Sequence, residues 1–163
     1  MTLRSTVAAM LLTAFASSAF AATFDILGSS QQFVPRAISS DGSTVIGDGL
    51  TLPLGTTVWP MSWTRSAGLN YVGTPDLSIK YSIPAAISAD AKSFAGYFQD
   101  DDGNRTAYRW TQSTGYQTLA SGANIISRSE SRAISADGSV IVGQASFDFG
   151  RRGFRSQRRP GPR

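Results

Sequence analysis

Three features of the sequence predict an all-β chain of repeated four-stranded units, β-propeller-like and incomplete at about two and a half units. The first is a phrase that stands three times. It reads "AISSDGSTVIG" at Ala37–Gly47, "AISADAKSFAG" at Ala86–Gly96 and "AISADGSVIVG" at Ala133–Gly143, at offsets of 49 and 47 residues. The second is a following phrase at the same period: "MSWTRSAGLNYVG", Met61–Gly73, corresponds to "YRWTQSTGYQTLA", Tyr108–Ala120, with Trp63 and Trp110 47 residues apart. The third is the lack of any long amphipathic helical pattern after the first 21 residues, because Gly and Pro interrupt every candidate stretch.

Taken in order, the chain opens with Arg4 and a short apolar run, Thr6–Ala16, then small residues ending Ala19-Phe20-Ala21. That order of charge, apolar stretch and small-x-small marks residues 1–21 as a secretory signal peptide, and the run is too short to cross a bilayer core. The expected location is periplasmic or extracellular, with no membrane span in the mature chain. With no cysteine in the sequence, packing alone must hold the exported fold. "TFDILG", Thr23–Gly28, resembles the closing strand of a unit without its own hairpin.

Each first phrase reads as a β-hairpin. Asp41-Gly42 and Asp137-Gly138 supply the positive φ angles of a tight two-residue turn, and β-branched residues return as a strand that ends at the phrase's last Gly. The middle copy has Asp90 followed by Ala91 and Lys92, which predicts a looser turn. The second phrase is another hairpin, with Gly115 at the position that needs φ > 0. Two hairpins make four short strands, so the β-repeat domain is assigned to 22–155, with units at 37–73, 86–120 and, in part, 133–155. Phe154-Arg155 corresponds to Tyr108-Arg109, after which "SQRRPGPR" replaces the expected Trp-Thr. The stretch 156–163 is therefore read as a basic Arg/Pro tail left by a truncated or frame-shifted reading frame, with a natural tail as the alternative.

These phrases resemble the HAF-type extracellular repeats of bacterial secreted proteins, in which A-I-S-x-D-G-x-x-V-V-G precedes an aromatic A-F-R-W strand. The matching residues are the three first phrases, then Ala107–Thr111, more weakly Met61–Thr64, and Gly153–Arg155. Some members resemble autotransporter passengers. The resemblance implies an exported location and a repeat architecture, and it carries no catalytic assignment.

Composition narrows the chemistry. The formal net charge of +4 misleads, because six of fifteen basic residues fall in the last thirteen positions and Arg4 in the leader. Between Ala22 and Gly150 eight basic residues face eleven acidic ones, so the body has no basic face for a nucleic acid. The absence of His and Cys removes Ser-His-Asp triads, thiol nucleophiles and ordinary zinc sites. Asp41, Asp90 and Asp137 read as turn carboxylates that accept backbone N–H groups and stay ionised, which makes poor general acids. Asp100, Asp102 and Asn104 alternate as a calcium loop does, but Gly103 comes too early and Thr111 stands where a bidentate Glu belongs. No cofactor is expected: calcium is the one ion this stretch suggests, and a solvated hairpin loop is the plainer reading. Trp63 and Trp110 are expected in the core, while Trp59, Tyr81 and Tyr97 are candidates for stacking on a sugar ring.

The expected product is an exported, non-catalytic binding or surface-interaction module. Its partner would be a glycan or another cell-surface component, and open strand edges invite self-association. The alternative is a fragment of a larger autotransporter passenger or propeller hydrolase whose active or anchoring part lies elsewhere.

Overall fold

The computed structural model of the chain describes residues 26–27, 32–50, 57–73, 79–119, 125–147 and 150–157. The segment read as a signal peptide and the tail beyond Gln157 lie outside them. The fold is all-β. A first group of antiparallel strands comprises β1 (Phe33–Ile38), β2 (Thr44–Leu50), β3 (Val58–Thr64) and β4 (Gly68–Tyr71). A second comprises β5 (Tyr81–Ile87), β6 (Ser93–Gln99), β7 (Arg105–Thr111) and β8 (Gly115–Thr118). A third comprises β9 (Ile125–Ile134), β10 (Val140–Phe147) and β11 (Gly150–Gln157). Short parallel contacts, Val58 beside Tyr81 and Arg105 beside Arg128, join the groups into one open sheet. Ile26 and Leu27, the described part of the suspected closing strand, pair with nothing in that sheet.

The glycine that closes each first phrase lies in mid-strand, not at a strand end. Gly47, Gly96 and Gly143 sit inside β2, β6 and β10, each opposite a register shift in the preceding strand. A Cβ at these positions would stand 2.2, 2.1 and 2.1 Å from the carbonyl oxygens of Val34, Ile83 and Glu130. No side chain fits there, so the bulge requires glycine in all three groups. Across the next ladder the same glycines face Met61, Tyr108 and Phe154. Phe154 and Arg155 thus take the registers of Tyr108 and Arg109, and the strand runs on through Ser156 and Gln157, beyond the boundary expected at 155.

The Asp-Gly turn also differs from the two-residue form expected. Ser39 N–H donates to Thr44 C=O at 2.9 Å, which leaves four residues in the connection, and Gly42 N–H donates back to Ser39 C=O at 2.9 Å. Only the glycine takes a positive φ, +72° at Gly42 and +69° at Gly138. Ala91 occupies the same place in the middle copy with φ +57°, and the turn keeps its hydrogen bonds, Ser88 N–H to Ser93 C=O at 2.8 Å among them. That turn is strained, not looser.

Strand alternation gives each group an upstream and a downstream face. The upstream face of the second group carries Phe94, Phe98, Tyr108, Trp110 and Tyr116, which pack with Ile46, Ala37 and Val72 of the first. Phe94 stacks on Trp110 at 4.7 Å and Phe98 on Tyr108 at 4.3 Å. An aromatic of this size removes roughly 150–250 Å² from water, about 4–6 kcal/mol as an upper bound, so this seam dominates the packing. On the downstream face of the second group Ala95, Ala107 and Arg109 are buried, as are Ile141 and Ala145 of the third.

The strained turn supplies a direct test. A left-handed alanine costs about 1–2 kcal/mol, partly offset by the larger unfolded-state entropy of glycine, so Ala91→Gly should stabilise by about 0.5–1 kcal/mol. Urea unfolding of the two proteins measures it, and equal or lower stability of the variant would rule the strain out.

Candidate functional site

The acidic residues of the repeated phrases are used by the turns themselves. In the first group the Ser39 hydroxyl donates to Asp41 Oδ1 at 2.6 Å, Ser43 donates from its N–H at 3.0 Å and from its hydroxyl at 2.9 Å. Ser39 Oγ in turn accepts Thr44 N–H at 3.0 Å. The third group repeats this with Ser135, Asp137, Ser139 and Val140, and the second with Ser88, Asp90, Lys92 and Ser93. The Ser39 hydroxyl and then the Ser43 N–H and hydroxyl hold Asp41 down at about 2; Ser135 and Ser139 do the same for Asp137. Asp90 is lowered too, by the Ser88 hydroxyl first. All three are acceptors fixed in the charged form.

The calcium candidates are arranged as a hairpin loop between β6 and β7. Asp100 accepts Asn104 N–H at 2.8 Å and Asn104 Nδ2 at 3.0 Å, and Gly103 N–H closes the turn on Asp100 C=O at 3.1 Å. The Asn104 side chain, chiefly, lowers the Asp100 carboxyl. Asn104 therefore spends its amide as a donor to Asp100. Asp101 pairs with Lys80 at 2.8 Å, and Asp102 is exposed. Among the described residues no three His, Cys, Asp or Glu come together as a metal would need.

The aromatic candidates do not form one platform. Trp59 is 7% exposed, donates Nε1–H to Ile79 C=O at 3.2 Å and rests its ring on Tyr71 at 5.2 Å. Its ring faces are covered, which corrects its reading as a sugar-stacking surface. Tyr97 carries the Arg105 guanidinium 4.6 Å above its ring. Tyr81 lies beside Val58, at the junction of the first two groups. Trp110 joins the aromatic seam, whereas Trp63 lines an open cleft of 780 Å³ with Leu27, Ile38 and Val45.

The sequence reading missed the polar seam between the second and third groups. Glu130, nearly buried, accepts Arg105 Nη1 at 2.5 Å, Arg132 Nη2 at 2.5 Å and Gln144 Nε2 at 2.9 Å. Burial pushes its carboxyl up, but Gln144 and Arg105 as donors, with the charges of Arg132 and Arg105, outweigh that and hold it below its usual value. Ser129 Oγ accepts Ala107 N–H at 2.9 Å, and the Ser131 hydroxyl donates to Tyr108 C=O at 3.3 Å. The register that places Ser129 opposite Ala145 places Ser82 opposite Phe98, so Ser82 occupies the Ser129 position one group earlier. Its counterpart to Ala107 is Pro60, which has no N–H to give. Ser82 Oγ and the Tyr108 hydroxyl are left buried without hydrogen-bond partners. Burial first, and then the neighbouring Tyr116, push the Tyr108 phenol well up, against a smaller opposing effect of the nearby Ser82 hydroxyl. The proline immediately before Met61, at the place of Ala107 in the second phrase, was the signal available in the sequence.

A second ion pair, Arg36 Nε to the buried Asp48 at 2.5 Å, occupies the edge of the first group. Glu130, Asp48, Asp100, Asp101 and the turn aspartates thus all serve as acceptors within the fold.

No protein-family model matches the chain, and no curated protein matches its sequence. Among solved structures, the β-propeller protein TolB from Acinetobacter baumannii is similar in fold, at a TM-score of 0.54 and 14% identity. The match covers 78% of this chain and 30% of TolB, so the chain spans about a third of that protein. At this identity the likeness concerns the fold.

The seam predicts an asymmetry between two serines. Ser129→Ala removes the acceptor of a buried N–H and should cost about 1–2 kcal/mol, whereas Ser82→Ala removes an unpaired hydroxyl and should stay within about 0.5 kcal/mol. Chemical denaturation of both variants checks this, and equal losses would contradict it. The acid limb carries a second expectation. Asp41 and Asp137 have folded-state values of about 2, below their unfolded value of about 3.9, and Glu130 is lowered in the same sense. Their stabilisation is complete above about pH 4 and is lost as pH falls toward about 2. An Asp41→Asn/Asp137→Asn variant should unfold with a shallower pH dependence across that interval, measured by thermal melts at fixed ionic strength.

Proposed function

We propose that the chain is an exported, non-catalytic interaction module built of propeller-like blades, each strand group being one blade. The observation that carries this reading is the state of its carboxylates. A glycosidase needs two carboxyl groups flanking a bond, one of them held protonated. Here the buried Glu130 and Asp48 are paired with arginine, and the carboxyl groups of Asp41, Asp90, Asp100, Asp137 and Glu130 are held below their usual values by the donors around them. What the fold offers instead is surface: a row of three similar turns and two terminal faces lined with side chains that elsewhere form its seams. The covered ring of Trp59 favours a protein surface over a sugar as partner. Export rests on the leading sequence and on the likeness to secreted repeats.

A second reading, one part of a larger blade array, is supported by the 30% share of TolB that the chain matches. Both readings are tested by assaying the purified chain on chromogenic glycosides and esters and on a glycan and envelope-protein array. Saturable retention without turnover supports the module, on glycans if a sugar surface is the partner. Hydrolysis that disappears in Glu130→Gln would overturn it.

A further inference from the structure

We propose that the upstream face of the first group is a docking site for the downstream face of the third group in a second copy of this chain. The inference rests on the blade reading above and goes further, because it names the occupant and both surfaces. Its basis is continuity with an interface that the chain already makes twice. Each seam within the chain sets the downstream face of one group against the upstream face of the next. At the two ends of the described array the same two faces have no such neighbour.

Corresponding positions show the difference. Ile46 and Val142 stand immediately before the bulge glycine, and Ile46 is 1% exposed under the second group while Val142 is 42% exposed. At the other face, Ile87 packs against the aromatic seam, whereas Ile38, its counterpart in the first group, is 58% exposed. Trp110 stacks on Phe94 inside the seam; in the same registers, half-buried Trp63 lines the open cleft with Ile38 and Leu27, over a buried Val45. The turns agree. Gly138 is buried, with its Cβ position 2.9 Å from Ser93 Oγ of the preceding group, and Ala89 N–H donates to Ala136 C=O across that seam at 2.9 Å. Gly42, at the same place in the first group, meets nothing within 4 Å and borders the cleft.

The two faces differ, so the contact is heterologous. Such an interface closes into a ring or runs on as a filament. Two copies of three blades fall within the roughly 4–8 blades that close a propeller, which makes the closed dimer the expected product.

The test uses the full chain and two exposed substitutions, Ile38→Asp and Val142→Asp, each placing a charge on one face only. Light scattering coupled to size exclusion should show a concentration-dependent dimer for the parent chain. Each variant alone retains one intact face of each pair and forms no ring, with association weakened by more than about tenfold. Mixed in equal amounts they should recover a dimer, because Ile38→Asp still offers its third group and Val142→Asp its first. An interface joining like faces would leave one variant unaffected and the mixture unrescued, and either result overturns the proposal. A monomeric parent that unfolds cooperatively as a β-protein also overturns it, while leaving the module reading in place. A parent with no cooperative unfolding transition overturns both.

Discussion

The close approach of a carbonyl oxygen to the bulge glycine is the constraint on which the other features depend. At Gly47, Gly96 and Gly143 the preceding strand passes so near that any Cβ would overlap its backbone. The bulge lets five or six residues of the first strand pair with the second in spite of one extra residue, and it adds local twist to each hairpin. Twist of this kind turns the two faces of a four-stranded group so that neighbouring groups can pack face to face while sharing only a one-residue parallel contact at the sheet edge. The turn of each phrase then closes the same hairpin from its other end. Its serine and aspartate bond only within the loop and with the first residue of the next strand, so the turn forms without help from the neighbouring groups.

The frame is shared, and the seams are not. Between the first and second groups, Phe94, Phe98, Tyr108, Trp110 and Tyr116 exclude water, and the seam is held by apolar area and ring contacts. Between the second and third, the corresponding positions are Ile141 and Ala145, and the volume lost is compensated by Glu130 with its three donors and by two serine bonds. A buried carboxylate with two guanidinium partners is costly to desolvate, so its contribution lies more in fixing one register than in net stability. Pro60 explains why the polar solution cannot be copied to the first seam: without an N–H at that position, Ser82 has no donor to receive.

Most of the architecture was legible because it is written as repetition. The three phrases located β1–β2, β5–β6 and β9–β10, and the paired Trp-Thr phrases located β3–β4 and β7–β8. What sequence reasoning misjudged were distances across strands. It placed Gly143 at a strand end because glycine commonly stops a strand, and nothing in the linear order shows a carbonyl from residue 130 arriving at that Cα. It treated Trp59 as open to solvent for want of a repeat partner, whereas Ile79 and Tyr71 reach it from later in the chain. Glu130 was visible as the only glutamate, yet its partners Arg105, Arg132 and Gln144 come from three different strands. Pairings of that sort depend on the register of separate hairpins, which spacing alone does not supply.

Exposure along the array is what ties the fold to the role we propose for it. A position fixed by the bulge glycine has the same backbone in each group, so a difference in its burial reports what covers it, a neighbouring group or, as at Val45 beside Leu27, another stretch of this chain. Ile46 and Val142 differ from 1% to 42% exposed with the same strand geometry around them. Single apolar side chains on a protein surface are ordinary and carry no meaning by themselves. Ile38, Trp63 and Val142 are a different case, because their counterparts form seams inside this chain. The upstream end face thus offers an apolar cleft beside Trp63, while on the downstream end face Val142 lies opposite the exposed Arg155. Contact between surfaces is accordingly the role we propose for this protein, at faces whose counterparts inside the chain form its seams.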